Sequence, residues 1–294
     1  MDHKKSSNAD SALPAGLYII ATPIGNIEDI TLRALDILGK VDFIACEDAR
    51  VSGKLTSYYD IAAQKLSYHD HNAEEMRPRL IAMIKEGKRV ALISDAGMPL
   101  ISDPGYKLVA DCVAEDIPLT CIPGPSASLT ALVLSGLPTD RFMFAGFLPP
   151  KSAARRTALT EIKAVPATLI FYETGPRLAE SLKDMLATLG DRPAAVAREL
   201  TKKFEEVQRG VLSHLADYYE SQGETRGEIV VVVGSPVEGQ AGDWTEAAVD
   251  ELLQAMIKKE GMSVKDAAAF VAAKSGLKKR DVYQRALILN QKKR

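Results

Sequence analysis

The chain has only three cysteines in 294 residues, Cys46, Cys112 and Cys121, and no CxxC pair. That count and spacing exclude a disulfide framework and a structural zinc site, and lead us to expect a cytoplasmic setting. No apolar run approaches the ~18 residues that a membrane helix needs. The N-terminal Met1–Asp10 stretch lacks the apolar centre of a signal peptide, and we expect a disordered tail over residues 1–15. Neither GxxxxGK[ST] nor GxGxxG occurs, which argues against a nucleotide kinase, an ordinary Rossmann dehydrogenase and the commonest methyltransferase fold. No internal repeat stands out. Charge of one sign is also lacking: the formal net charge is −2, which by itself speaks against a nucleic-acid binder.

The chain is long enough for two domains and a small third. Its 46% apolar and 26% charged content is that of an ordinary globular protein. The charge is unevenly spread. Residues 241–294 carry 11 Lys+Arg against 7 Asp+Glu, so this tail is net +4 and the remainder net −6. A basic tail is the electrostatic footprint of a polyanion partner, and also that of a solvated helical surface.

Through the first half, strand-like runs alternate with helix-like ones. Leu17–Ala21, Val41–Cys46, Val90–Ile93 and Leu119–Ile122 read as buried strands. Thr31–Leu38, a stretch near Val51–Tyr59, Ala73–Lys85, residues 106–113 and Ser126–Leu134 read as helices, the first capped by Asp29 or Thr31. This alternation predicts a mostly parallel sheet covered by helices. Phe142–Phe147 reads as a strand running into a boundary at Pro149-Pro150. A second α/β unit follows, with strands at 167–172, 194–197, 206–210 and 228–234 and helices near 153–163, 176–188 and 211–221. Gly234–Gly242 reads as a linker. Beyond it lie three helical patterns, Thr245–Lys259, Val264–Ser275 and Lys279–Leu289, the last two with the proportions of a helix-turn-helix. The expected domains are therefore 16–147, 148–235 and a helical module over 243–294.

Three turns follow strand-like runs: Ala21–Asn26, Ser94–Gly105 and Ile122–Ala127. Turns rich in Gly, Pro and Asp at the carboxyl ends of strands are where open α/β sheets bind ligands. Glycine lets backbone approach a ligand closely and proline stiffens the turn. The sequence therefore points to a small-molecule pocket. His69 and His71 stand two apart, but no third ligand accompanies them, so no metal site is expected.

Taken in order, these motifs resemble the tetrapyrrole-methylase superfamily, and within it the branch that methylates ribosomal RNA. The resemblance runs from the Leu17–Leu35 segment through Glu47-Asp-Ala-Arg50, Ser67–Asn72, Ser94–Gly105 and Pro123–Ala127. It continues through Gly136–Phe142, Gly146–Pro149, Phe171-Tyr-Glu173, Ala197–Lys202 and Arg226–Val230, so it spans about residues 16–235. It implies two α/β domains of the tetrapyrrole-methylase type with S-adenosylmethionine (SAM) bound in the cleft between them. It further implies methyl transfer to the ribose 2′-hydroxyl of a decoding-region cytidine in small-subunit (16S) rRNA, and a homodimer. Met98 and Thr174-Gly175 depart from the commonest pattern, which bears on pocket packing more than on chemistry.

Carried onto this chain, the resemblance implies cofactor contacts from Pro23, Gly25, Asp95, Ala96, Gly97, Pro99, Ser102, Asp103, Ser126 and Ala127. From the second unit it implies Tyr172, Glu173, Arg198, Glu199 and Glu228. Glu47, Asp48, His69 and Glu173 are candidate bases for a weakly acidic hydroxyl, and the sequence does not choose among them. Arg33, Arg50, Lys54, Lys151, Arg155, Arg156, Lys278, Lys279, Arg280 and Arg285 are candidate RNA contacts, which would position backbone without reading bases. The weak overall basicity favours recognition of an assembled particle by shape. Two alternatives are weighed against this: a tetrapyrrole or diphthine-type methyltransferase of the same superfamily, and a SAM-sensing nucleic-acid-binding regulator.

Overall fold

In a computed structural model, residues 13–236, 246–258, 261–275 and 277–291 are described. Most of the expected tail, and much of the expected linker, lie outside them. Two residues of that expected tail are anchored: Leu13 packs against the apolar cluster around Tyr18 and Ile37, and the Tyr18 hydroxyl donates to the Pro14 carbonyl at 2.6 Å.

The first unit is an all-parallel sheet of β1 (Gly16–Ile20), β2 (Phe43–Cys46), β3 (Gln64–Ser67), β4 (Arg89–Ile93) and β5 (Leu119–Ile122). Its spatial order is β3-β2-β4-β1-β5. Helices α1 (Leu32–Leu38), α2 (Ala49–Tyr58), α3 (Ala73–Lys85) and α4 (Tyr106–Ala114) connect the strands. Central strands β1 and β4 are apolar on both faces because helices cover both, which is the condition for a parallel sheet. Thr31 caps α1 by accepting from the Ala34 N–H at 3.1 Å. Strand β3 was not expected from the sequence, since Gln64-Lys-Leu-Ser67 is a mostly polar edge segment with only Leu66 buried.

The second unit is a mixed sheet of order β6-β7-β10-β8-β9. Its strands are β6 (Phe142–Phe147), β7 (Thr168–Thr174), β8 (Pro193–Arg198), β9 (Glu206–Val211) and β10 (Glu228–Val233). Only β6 and β7 run parallel; the other pairs are antiparallel. Helices α6 (Ser152–Ile162), α7 (Leu178–Leu189) and α8 (Leu212–Ser221) bury one face of it.

This arrangement corrects the expected boundary at 147/148. Strand β6 belongs to the second sheet through its pairing with β7. Helix α5 (Ala127–Ser135) lies on the other face of that sheet, where Ala131 and Leu132 pack with Ile170, Val230 and Val232. The chain therefore crosses over at 123–126, upstream of the two prolines that suggested the boundary. Ile24 of the first unit joins the same apolar cluster, so the two units share a core. A buried leucine such as Leu132 contributes roughly 1.5–3 kcal/mol to that union.

Helices α9 (Glu246–Lys258), α10 (Val264–Ser275) and α11 (Lys279–Gln291) form the C-terminal module. Ala267, Ala268, Ala272 and Ala286 let the helices approach closely around Val249, Leu253, Val271 and Val282. Among the described residues no helix is long and apolar enough to cross a membrane.

Candidate functional site

The strand order places β1 between β4 and β5, so the turns after these three strands gather at one edge of the first sheet. They are tied to one another. Thr22 and Gly97 exchange backbone hydrogen bonds at 2.9 and 3.0 Å. The Thr22 hydroxyl donates to the Ser94 carbonyl at 3.0 Å, and the Ser94 hydroxyl to the Gly97 carbonyl at 2.9 Å. Gly97 has φ +82°, and a side chain there would press on Ile24. Leu100 and Ser102 also hold left-handed backbone, at φ 72° and 66°, without being glycine. Such strain costs ~1–3 kcal/mol per residue and concentrates at functional sites.

Facing these turns, across a cavity of about 300 Å³, are strand ends of the second sheet, chiefly those of its inner strands β7, β10 and β8. The first unit lines it with Ile24, Asp95–Met98 and Ile101–Asp103, followed by Ser126 and Ala127 at the start of α5. The second unit contributes Phe147, Tyr172–Thr174, Ala197, Leu200 and Gly227–Val230. The units are fitted closely at the rim. A Cβ on Gly25 would lie 2.5 Å from Lys202 Cγ and 2.7 Å from Thr201 Oγ1, and the Asn26 N–H donates to that same hydroxyl at 2.9 Å.

The cavity brings together Asp95, Ala96, Gly97, Ser102, Asp103, Ser126, Ala127, Tyr172, Glu173 and Glu228. Five other expected contacts are not in its lining. Pro23 and Gly25 shape the rim, and Pro99 is buried behind it. Arg198 pairs with Glu206 at 2.7 Å, and Glu199 accepts from Lys202 at 2.8 Å and from the Glu228 N–H at 3.0 Å. The sequence had not singled out Ile24, Ile101, Phe147, Ala197, Leu200, Gly227, Ile229 and Val230 as site residues. All eight nevertheless lie inside motifs that carried the resemblance: Ile24 in Leu17–Leu35, Ile101 in Ser94–Gly105, Phe147 in Gly146–Pro149, Ala197 and Leu200 in Ala197–Lys202, and Gly227, Ile229 and Val230 in Arg226–Val230.

The site is electrostatically acidic. Loss of solvent, then the charges of Glu47 and Asp95, push the Asp103 carboxyl up to about 6. Burial, opposed by the hydrogen bond from the Asp48 N–H, raises Asp95. Glu47, at the end of β2 and outside the lining, is raised by partial loss of solvent and then by Asp95 and Asp70. Tyr172 is raised by burial. Among the other candidate bases, Asp48 caps α2 and is held down at about 2 by Arg50, which it grips through both carboxylate oxygens. Glu173 is enclosed: its carboxylate accepts from the Thr174 N–H at 2.8 Å and from the Ser181 hydroxyl, and Arg177 stands 3.3 Å away. That network holds the carboxylate in place as a structural anchor, against the expectation of a base. The His69 N–H donates to Asn72 at 2.9 Å, while its buried Nδ1 has no partner among the described residues.

The expected RNA contacts divide in a similar way. Arg33, Arg50, Lys54, Lys151, Arg156, Lys278, Lys279 and Arg280 are exposed. Arg155 is not: it is 0% exposed and pairs with Asp184 at 2.7 Å, so it cannot reach a polyanion. Arg285 is half-buried and ties α11 to α9 through Asp250 at 2.6 Å and Glu246 at 3.1 Å. Its charge is spent inside the module.

The cavity fits a nucleoside carrying a cationic centre. Its size lies at the lower end of ligand pockets, ~300–1,000 Å³. Ile24, Met98, Ile229 and Val230 offer apolar walls to a purine, glycine turns bring backbone close, and Asp95 and Asp103 supply negative potential for a sulfonium.

Comparison with known proteins agrees with this geometry. Residues 16–216 match the model of the tetrapyrrole (corrin/porphyrin) methylases, and residues 244–290 that of the RsmI C-terminal HTH domain. The chain is 51% identical over 278 residues to the ribosomal RNA small subunit methyltransferase I of Mesorhizobium japonicum, covering 94% of this chain and 93% of that one. It is 46% identical to the protein of the same name from Halalkalibacterium halodurans, covering 91% and 93%. Among solved structures, a diphthine synthase aligns with a TM-score of 0.58 at 15% identity over 74% of this chain and 89% of that one. A uroporphyrin-III C-methyltransferase from Thermus thermophilus complexed with S-adenosylhomocysteine aligns with a TM-score of 0.52 at 22% identity, over 74% and 97%. These two share the fold. With its methylase body and its C-terminal helical module both matched, the chain belongs to the ribosomal RNA small subunit methyltransferase I family of the tetrapyrrole methylases.

Proposed function

We propose that this chain is a SAM-dependent methyltransferase acting on the ribose 2′-hydroxyl of a decoding-region cytidine in small-subunit rRNA. The observation that carries this is identity of about half, over nearly the whole length, to proteins named for methylating small-subunit rRNA. The match of the helical module to the C-terminal domain of that family favours it over the tetrapyrrole and diphthine branches.

SAM, when bound, supplies an electrophilic methyl on a sulfonium. The chain's own residues then have four tasks. The stapled turns at Thr22, Ser94 and Gly97 present a rigid backbone surface, which removes the cost of ordering it on binding. Asp95 and Asp103 favour the cationic centre electrostatically. The apolar walls exclude water from the reacting groups. Alignment of the hydroxyl with the bond to be broken contributes ~7–11 kcal/mol when geometry is near attack.

In this account RNA reaches the cleft guided by exposed Arg33, Arg50, Lys54, Lys151 and Arg156, with Lys279 and Arg280 on the module. Such scattered cations position backbone, and suit a substrate recognised as an assembled subunit in the cytoplasm. A homodimer is part of the same proposal. Exposed Leu129 and Val133 of α5, which line a shallow groove with Glu205, are apolar surface of the kind a second copy covers. Light scattering on the purified protein reads that state directly.

The test is transfer of labelled methyl from SAM to small subunits isolated from cells lacking the enzyme, with naked rRNA fragments in parallel. Label on subunits, and little on fragments, is expected. Intact SAM binding with no label on subunits would refute the function.

A further inference from the structure

We propose that Asp103 is the proton acceptor for the ribose hydroxyl, an assignment that rests on the methyl-transfer reading above. In the balanced step, the 2′-oxygen forms a bond to the methyl carbon, and the carbon–sulfur bond breaks with its electron pair going to sulfur. The hydroxyl proton passes to an Asp103 carboxylate oxygen.

Four carboxylates line the cavity: Asp95, Asp103, Glu173 and Glu228. Three are already engaged. Asp95 accepts from the Asp48 N–H at 3.2 Å, Glu173 is locked by Ser181, Thr174 and Arg177, and Glu228 pairs with Lys202 at 3.1 Å. Asp103 alone among them has no hydrogen bond or ion pair among the described residues, so both its oxygens are free to meet a substrate. It sits on a turn whose neighbours Leu100 and Ser102 are held in left-handed backbone, so its position is maintained against strain. The charges acting on it are Glu47 after β2 and Asp95 after β4, and it acts in turn on Tyr172 on β7 of the second unit. Burial, then these two like charges, bring the carboxyl to about 6, near where a general base works best at neutral pH. A contact with the cofactor, which the resemblance implied for Asp103, is the competing role.

The variant D103N keeps the shape and removes the basicity. Because Asp103 also lends negative potential to the sulfonium, calorimetry should find SAM affinity lowered, by less than tenfold with Asp95 still lining the cavity, so transfer is compared with the cofactor saturating. Single-turnover transfer to subunits at saturating SAM should fall by ~10²–10⁴, the usual worth of a general base. The native rate should rise with pH across the acid range and the D103N rate should not. A readout independent of turnover is the carboxyl ¹³C titration of the protein without ligand. It should show one aspartate near 6 that is missing in D103N and moves down in E47Q. A native transfer rate in D103N, an unchanged pH slope, or a loss of SAM affinity that accounts for the whole defect would each overturn the assignment while leaving the function standing. Absence of transfer by the native chain would overturn both.

Discussion

Replacing Arg155 with methionine should destabilise the second unit and leave nucleic-acid affinity unchanged. The guanidinium is fully enclosed; its Nε donates to Asp184 Oδ2 at 2.7 Å and a terminal nitrogen donates to the Pro150 carbonyl at 3.3 Å. Asp184 is 12% exposed and also accepts from the Ser152 hydroxyl at 3.0 Å, so the pair fastens the start of α6 to α7. Methionine fills most of the volume but takes the close cation from a desolvated carboxylate, leaving Asp184 the Ser152 hydroxyl and the more distant Arg156 at 3.7 Å. Breaking a buried pair from one side costs ~3–5 kcal/mol. At ~2–4 °C per kcal/mol for a unit of this size, the thermal midpoint should drop by ~6–20 °C. Removing both charges, in R155M with D184N, should recover part of the loss because no unpaired ion remains. Circular dichroism melts of the single and double variants, beside R156A, make the comparison. An R155M midpoint within 2 °C of native, together with weakened subunit binding, would refute this and return Arg155 to the RNA surface.

Gly25→Val should weaken SAM binding by at least tenfold in calorimetry, because its side chain would collide with Thr201 and Lys202 and hold the units apart at the rim. Asp42 is held at about 2, first by the side-chain hydrogen bonds of Arg89. Its folded value lies below its unfolded one, so its contribution is complete above pH ~4 and is lost as pH falls towards 2. D42N should therefore cost about 1–2 kcal/mol at neutral pH, after discounting for a partly exposed pair, and flatten the denaturant midpoint against pH in that window. Reversing Lys279 and Arg280 to glutamate should raise the KM for subunits several-fold, most strongly at low salt, with SAM affinity unchanged. An effect insensitive to salt would remove the module from the RNA-binding surface.

The first sheet was largely legible because its strands β1, β4 and β5 are apolar runs closed by Gly and Pro, and Thr31 caps α1 as its position suggested. Strand β3 was not, since an edge segment with one buried leucine carries no period. The boundary was misplaced because Pro149-Pro150 is a strong local signal, whereas the pairing of β6 with β7 is a long-range fact. The same limit governed the site. The turn that carries Asp95, Gly97 and Asp103 stood out by its Gly and Pro punctuation, whereas the individual residues came from the family resemblance. Ile229 and Val230 looked like ordinary strand core, and only the meeting of two sheets makes them a wall of the cavity. Arg155 and Glu173 read as chemistry in the sequence, but tertiary packing closed each into a salt-bridged network.

The most direct measurement is the position of the labelled methyl after transfer to small subunits. Alkaline digestion of the labelled rRNA should leave the label in a single resistant dinucleotide containing a decoding-region cytidine, since a 2′-O-methyl blocks cleavage at its own phosphate. Label recovered entirely in mononucleotides would mean base methylation, and would contradict the account at its centre.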